Sequence, residues 1–235
     1  MGKRLIPQRR GRGGAVYRSP SHRHLGRLSL PTIGGKVVRL MHAPGRNSPA
    51  ALLDSGELII APFNLSTNSM IRVCDVNQAD ELEPGNVHAL RHLNEGQEIH
   101  NVELHPNDGG KLARANGTFC RIIRSSGDAT IVRTLAGVLK TLSGNCRAAI
   151  GRVAGSGVNE VKIGKAGTKR HYYRSRSKRS FKVSGVSMNP VNHPHGGGNH
   201  PHVGTRSSVS RHTSPGRKVG NLGKQKRVRT KVNIS

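Results

Sequence analysis

Tryptophan is absent from this chain of 235 residues, and tyrosine and phenylalanine number three each. The six aromatics (Tyr17, Phe63, Phe119, Tyr172, Tyr173 and Phe181) are too few to build the stacking platforms by which single-strand binders hold splayed bases. Acid is scarce as well, with 12 Asp+Glu against 39 Lys+Arg. No stretch approaches the roughly 18 consecutive apolar residues that span a bilayer, and no apolar signal core follows Met1. The three cysteines (Cys74, Cys120 and Cys146) are odd in number and far apart. That argues against a secreted disulfide framework and reads as small core residues in a reducing cytosol. Catalytic signatures are also missing. There is no G-x-x-x-x-G-K-[ST], no G-x-S-x-G elbow and no carboxylate pair in a motif context, and Gly164-Lys165-Ala166-Gly167-Thr168 is only superficially like a phosphate loop. The expectation is a protein that is not an enzyme and that carries no cofactor.

What is present in excess is positive charge. A net charge of +27 calls for an external polyanion, because a globular domain ordinarily spreads both signs over its surface. A membrane surface would ask for a basic amphipathic helix rich in Trp, Phe and Leu, which this composition cannot supply, so nucleic acid is the indicated partner. With few aromatics, contacts to phosphate and to shape should dominate. The charge is unevenly placed. Residues 1–30 carry Lys3, Arg4, Arg9, Arg10, Arg12, Arg18, Arg23 and Arg27 with no acid among them. Over residues 31–110 five bases face ten acids; over 111–160 bases lead again; after Glu160 no acid occurs at all. An acid-free run poor in apolar residues cannot balance its own charge, and should take a fixed path only against phosphate.

The middle of the chain reads as short strands separated by turns. Strand runs are predicted at 37–41, 50–53, 57–61, 70–76, 86–90, 99–104, 118–124, 129–133, 137–142 and 145–153, with Asp54-Ser55-Gly56 as a hairpin signal. Only 111–115 has the look of a short helix. Spacings near ten residues imply small β-barrels or sandwiches, here two, divided between Leu90 and Ile99. Gly and Pro make up 30 and 12 residues, so neither barrel should bury much and each should be marginal alone.

The densest specialised segment is Met188-Asn189-Pro190-Val191-Asn192-His193-Pro194-His195-Gly196-Gly197-Gly198, followed by Asn199-His200-Pro201-His202. Four histidines within ten residues suggest a metal site, but prolines hold the backbone extended and no Cys or carboxylate lies near, so no metal is expected. An RNA clamp fits better: consecutive glycines let the backbone approach phosphate or sugar, while imidazoles stack on bases or donate to phosphate. A flexible linker is opposed by the stiff Asn189-Pro190 and His193-Pro194 pairs. Gln8-Arg9-Arg10-Gly11-Arg12-Gly13-Gly14 is an Arg/Gly segment of the kind that folds on RNA, and Arg18-Ser19-Pro20-Ser21-His22-Arg23 adds turn chemistry to it.

Taken in order, these segments resemble the ribosomal protein L-two family of universal large-subunit proteins. The hallmark is the loop 188–198, supported by Gln8-Arg9-Arg10-Gly11-Arg12-Gly13, Ser19-Pro20-Ser21-His22-Arg23, Gly109-Gly110-Lys111-Leu112-Ala113-Arg114-Ala115, Cys146-Arg147-Ala148-Ala149-Ile150-Gly151 and Pro215-Gly216-Arg217-Lys218-Val219-Gly220. The resemblance runs from about residue 2 to about residue 223, and its opening is of the archaeal or eukaryotic-cytosolic type. It implies a mainly β fold: an OB-fold barrel followed by an SH3-like barrel, with long basic N- and C-terminal extensions. The divisions implied are a basic RNA-penetrating arm over 1–33, the OB-fold over 34–93, the SH3-like barrel over 94–170 and a Gly/His-rich extension over 171–235.

It also implies a structural constituent of the large ribosomal subunit in the cytoplasm, supporting subunit association and the peptidyl-transferase region, where the catalyst is RNA. Partners would be large-subunit ribosomal RNA, neighbouring large-subunit proteins and the small subunit, with no membrane and no homo-oligomer. The candidate RNA-binding residues are Arg9, Arg10, Arg12, Arg18, His22, Arg23, Lys111, Arg114, Arg147, Lys165, Lys169 and Arg170, then Asn189, His193, His195, Gly196, Gly197, Gly198, Arg206, Arg211, Arg217 and Lys218. His193 is the position implied to matter near the peptidyl-transferase region. Where many family members carry Asp, this chain has Asn192, which removes the carboxylate from any Asp-polarised histidine. Two other classes compete. A chromatin-like DNA compactor rarely needs two β modules, and a metal-dependent RNA-processing enzyme would need carboxylates or a Cys/His set that the tail lacks.

Overall fold

The computed structural model describes residues 3–74, 83–176, 178 and 181–223. Its chain divides into two compact units, one formed by Met1–Ser19 with Ala166–Ser235 and the other by Pro20–Lys165.

The Pro20–Lys165 unit is mainly β. Strands β1 (Gly35–Met41), β2 (Ala50–Leu53), β3 (Leu58–Ile60) and β4 (Met70–Ile71) form an antiparallel sheet in the order β3-β2-β1-β4. The Asp54-Ser55-Gly56 signal does close the β2–β3 hairpin. Leu53 N–H donates to Glu57 O at 3.0 Å, and Gly56 takes φ +82°, which glycine adopts without strain. The Asp54 carboxylate also accepts from Lys36 N–H at 3.0 Å. It sits so close to Gly35 that a Cβ there would overlap it. The inner face of this sheet packs Val37, Ala51, Leu53, Ile59, Ala61 and Ile71 together.

The predicted run at 70–76 does not stay in one sheet. After β4 the chain passes Arg72, and β5 (Val73–Cys74) pairs in parallel with β6 (Val87–Ala89) of a second sheet; residues 75–82 lie outside the described residues. That sheet continues with β7 (Glu98–His100), β8 (Cys120–Ser125), β9 (Ala129–Thr134), β10 (Leu139–Ser143) and β11 (Arg147–Ile150), in the order β10-β9-β8-β7-β11-β6-β5. Its core joins Leu90, Leu93, Ile99, Val102, Ile122, Val132 and Leu142 to Cys120 and Cys146. β6 and the turn Leu90–His92 therefore pair and pack with the second sheet, ahead of the division at 93/94 expected from sequence. Two sheets in succession follow the order of an OB-fold and an SH3-like barrel. Burial pushes the Cys120 thiol up to about 11 and raises Cys146 as well, as suits inert core thiols, while Cys74 is half-buried.

The helix expected at 111–115 is not formed. Lys111 and Leu112 N–H both donate to Val102 O, Asn101 N–H donates to Ala113 O at 3.0 Å, and Ala113 takes φ +48°. A five-residue segment cannot offset the nucleation cost of a helix when an edge backbone is available to pair with.

The segment 24–30 departs most from its sequence appearance. Lying within the arm expected over 1–33, it instead runs as a strap across both sheets. Leu28 is fully buried with Ala43, Ala50, Ile60 and Val153 on the outer face of the first sheet, and Leu30 packs on Val87 and Ala149 of the second. Ser29 N–H donates to Leu58 O at 3.3 Å and Leu30 N–H to Gly109 O at 3.2 Å. Three leucines inside a cationic run were the signal. Leu28 and Leu30, two residues apart, reach different cores.

Among the described residues, the other unit has little regular structure: α1 (Ile6–Gly11), α2 (Ala166–Arg174), and a parallel pair of β12 (Ser208–Val209) with β13 (Asn221–Leu222). In α1, Leu5 N–H is capped by Gln8 Oε1 at 2.7 Å, and Lys3 N–H donates to Val191 O at 2.9 Å.

Candidate nucleic-acid interface

In the unit of Met1–Ser19 and Ala166–Ser235, Arg9, Arg10, Arg12, Arg18, Lys169, Arg170, Arg206, Arg211, Arg217 and Lys218 are all exposed. Arg9 and Arg10 occupy the last turn of α1, where cations complement the helix dipole. α2 presents Lys169 and Arg170 with no residue of the helix buried. Arg176 covers one of its aromatics, lying 3.9 Å from the Tyr172 ring centroid and donating from Nη1 to Tyr172 O at 2.9 Å.

The loop 185–198 is built rather than slack. Gly197 N–H donates to Met188 O at 2.9 Å, Gly196 N–H to His193 O at 2.9 Å, and Asn192 N–H to Asn189 O at 2.9 Å. Glycine is required on steric grounds at two points. A Cβ on Gly196 would overlap Met188 O, and one on Gly197, at φ +86°, would come within 2.6 Å of Pro190 Cγ. Asn189 and Gly198 are exposed, while His193, His195, Gly196 and Gly197 are half-buried.

Within this frame His193 is held in one state. Its Nδ1 accepts the His195 backbone N–H at 3.0 Å, so Nδ1 carries no proton and the neutral ring bears its hydrogen on Nε2. The His195 ring meets it edge-on with centroids 5.0 Å apart. Gly185 lies flat against the imidazole, where any Cβ would overlap the ring. Burial and then the neighbouring His195 lower the His193 pKa, so the ring is neutral at pH 7 and acts there as a donor through Nε2. Gly185 was not among the residues singled out from sequence, since it precedes the motif and nothing local marks it as the wall for a histidine eight positions further along the chain. Among the described residues no group of three or more His, Cys, Asp or Glu is placed to hold a metal ion.

In the Pro20–Lys165 unit, His22, Arg23, Lys111 and Lys165 are exposed. Two other candidates are turned inward. Arg114 donates from Nη1 to Gly110 O at 3.0 Å and from Nη2 to Leu28 O, locking the strap. Arg147 pairs at 3.3 Å with Glu103, whose side chain is fully buried. That carboxylate also accepts the N–H groups of Asn107 and Gly109 at 3.1 Å and of Arg147 at 2.9 Å, which shapes the 103–110 loop. Cations that sequence reasoning passed over, Arg27 and Arg46, instead gather near Arg114. Its pKa is lowered by burial and then by the charges of Arg46 and Arg27.

Fold and surface thus define a class: a basic protein of two small β modules joined to cationic extensions and a rigid Gly/His loop. Known proteins narrow it. Residues 83–217 match the family described as Ribosomal Proteins L2, C-terminal domain. The chain is 46% identical over 235 residues to the large ribosomal subunit protein uL2 of Methanothermobacter thermautotrophicus, spanning 94% of this chain and 96% of that one. Its identity to uL2 of Picrophilus torridus is 45%, over 97% of this chain and 98% of the other, and to uL2 of Thermoplasma acidophilum 43%, with the same coverage. The chain belongs to the ribosomal protein L2 (uL2) family.

Proposed function

We propose that this protein is a cytoplasmic structural constituent of the large ribosomal subunit. It binds the subunit's RNA, and supports subunit association and the peptidyl-transferase region without itself being an enzyme. The observation that carries the proposal is the disposition of charge: no acid occurs after Glu160, and the candidate cations of both extensions, Arg9, Arg10, Arg12, Arg18, Lys169, Arg170, Arg206, Arg211, Arg217 and Lys218, are exposed. Such a surface is stable only beside a polyanion, and RNA supplies one along a defined path. On this reading Arg9, Arg10, Arg12, Arg18, Lys169, Arg170, Arg206, Arg211, Arg217 and Lys218 neutralise phosphates. His22, Arg23, Lys111 and Lys165 do so from the β unit, while Arg114 and Arg147 act by shaping the backbone beside them. The division into arm, OB-fold, SH3-like barrel and extension follows the same reading, with residues 24–30 taken into the β unit and β6 counted with the second barrel. Neighbouring large-subunit proteins and the small subunit complete the set of partners; no membrane, cofactor or second copy enters it.

His193 serves as a positioning donor. Its Nδ1 is already occupied, and Asn192 offers no carboxylate, so a general-base role has no support. The test is the affinity of the purified chain for structured large-subunit RNA as salt is varied. With roughly six or more phosphate contacts, log K should fall with a slope of about −5 or steeper against log salt. An affinity indifferent to salt, or equal for duplex DNA, would refute the proposal.

A further inference from the structure

We infer that Asn116 is a site of spontaneous covalent modification, its conversion to aspartate and isoaspartate held off in the folded chain by residues 153–156, which latch the turn that carries it.

Asn116-Gly117 is the one Asn-Gly pair in the sequence. The pair is reactive because glycine has no side chain to shield its nitrogen and leaves the backbone free to bend back on the preceding residue. Once the Gly117 amide gives up its proton to a base in solvent, its nitrogen can attack the side-chain carbonyl carbon of Asn116. The new C–N bond closes a five-membered imide, and the Asn116 Cγ–Nδ2 bond breaks to release ammonia. Water then opens the imide at either carbonyl. One opening gives aspartate; the other gives isoaspartate, with the chain rerouted through the side chain. The net change turns an amide and a water into a carboxylic acid and ammonia, with nothing oxidised or reduced.

The fold occupies both reacting groups. Asn116 and Gly117 are the central residues of a turn closed by Thr118 N–H on Ala115 O at 3.1 Å, with Gly117 at φ +67°. The attacking nitrogen is engaged, since Gly117 N–H donates to Val153 O at 3.0 Å. The leaving group is engaged too, because Asn116 Nδ2 donates to Gly155 O at 3.0 Å. Val153 N–H returns a bond to Thr118 O at 3.2 Å, and a Cβ on Gly117 would come within 2.7 Å of the Ser156 Cβ. The imide cannot close without breaking the Gly117–Val153 bond and turning the Asn116 side chain away from Gly155. Val153 is itself core, packed in one cluster with Leu28 of the strap, so the latch holds only while strap and sheet stay together. The same device guards the one Asp-Gly pair: Gly109 N–H donates to Glu103 Oε1 at 3.1 Å, and both Asp108 carboxylate oxygens accept backbone N–H groups.

Opening of the Asn116 turn has a lasting consequence. Either product adds a carboxylate, and isoaspartate adds one atom to the backbone, in a turn with no room even for a Cβ on Gly117. A chain modified while open is hindered from closing again, so the modification records time spent open.

The experiment ages the full chain in mildly alkaline buffer, folded and in urea, and follows the peptide containing Asn116 by mass spectrometry. Heavy-oxygen water marks the incorporated oxygen, and electron-transfer fragmentation separates aspartate from isoaspartate. Conversion should be at least about tenfold slower in the folded chain than in urea, since opening must first break two hydrogen bonds. Leu28→Ala, which loosens the core around Val153, should raise the folded rate several-fold and leave the rate in urea unchanged. Asn116→Gln should abolish the signal in both, because the larger ring closes far more slowly. Equal rates in folded and unfolded wild-type chains would overturn the latch, as would a folded rate that Leu28→Ala leaves unchanged. No conversion in urea, or a signal that survives Asn116→Gln, would overturn the site itself.

Discussion

Glu103→Gln tests the centre of the β unit with a change of one atom type. The carboxylate is fully buried, and each oxygen accepts two donors: Oε1 takes Gly109 N–H at 3.1 Å and Arg147 Nη2 at 3.3 Å, and Oε2 takes Asn107 N–H at 3.1 Å and Arg147 N–H at 2.9 Å. An amide has one acceptor oxygen. Whichever way it turns, its NH2 group faces two donors and leaves them without an acceptor. Each buried donor so stranded costs about 1–3 kcal/mol. The Arg147 guanidinium also loses its counter-charge while remaining mostly covered, a change worth roughly 3–5 kcal/mol in buried pairs. These figures describe the same loss from two sides, so about 3–5 kcal/mol is expected, a large part of the roughly 5–15 kcal/mol of a whole domain. The loop 103–110 also holds the strap, through Leu30 N–H on Gly109 O and Arg27 on Asp108 O, so its disturbance should loosen both sheets. Far-ultraviolet circular dichroism during urea and thermal unfolding is the assay. Tyrosine fluorescence would report the wrong unit, because Tyr17, Tyr172 and Tyr173 all lie outside Pro20–Lys165. A fall in melting temperature of about 10 °C is expected. A change under about 1 kcal/mol would show that the carboxylate is replaceable and refute the reasoning.

Three further outcomes are expected. His100 is buried, with its pKa lowered to about 4 mainly by burial, so it is neutral in folded and unfolded chains above pH 6.5. As pH falls from 6.5 toward 4 the unfolded chain takes the proton first, and stability should drop by roughly 3 kcal/mol. His100→Gln should flatten that part of the pH profile, and an unchanged slope would count against burial as the cause. At His193, glutamine can place a donor where Nε2–H stands and asparagine cannot. In fully occupied particles His193→Gln should keep single-turnover peptidyl transfer near wild type, while His193→Asn, His193→Ala and Gly185→Ala share a partial, up to about tenfold defect. Equal behaviour of Gln and Asn would remove the donor argument. Leu28→Ala should destabilise the β unit by about 2–5 kcal/mol and open residues 20–33 to protease, whereas the wild-type resistant core should begin near residue 24. Cleavage of the wild-type strap between Leu28 and Leu30 without loss of fold would show that it is not part of the core.

Much of this protein is written locally and could be read without coordinates. Alternation of apolar residues, the Asp54-Ser55-Gly56 turn and the spacing of short runs mark β1 to β3 and β8 to β10 within a residue or two, because strand faces and hairpin turns depend on neighbours in sequence. Net charge and its one-sidedness point to a polyanion through the plain count of ionised groups, and the loop 188–198 carries its family in its order of residues. What only the tertiary structure decided are matters of pairing across distance. The run at 70–76 looks like one strand, yet β4 and β5 serve different sheets, since partners for its backbone lie in both. Residues 24–30 look like part of a cationic arm, and become core because two apolar faces formed by residues further along the chain need covering. Arg114 and Arg147 carry the same charge as their exposed neighbours, but face inward because unsatisfied carbonyls and a buried carboxylate stand there. Charge is a property of a residue; whether it is spent on RNA or on the fold depends on which acceptors the chain brings beside it.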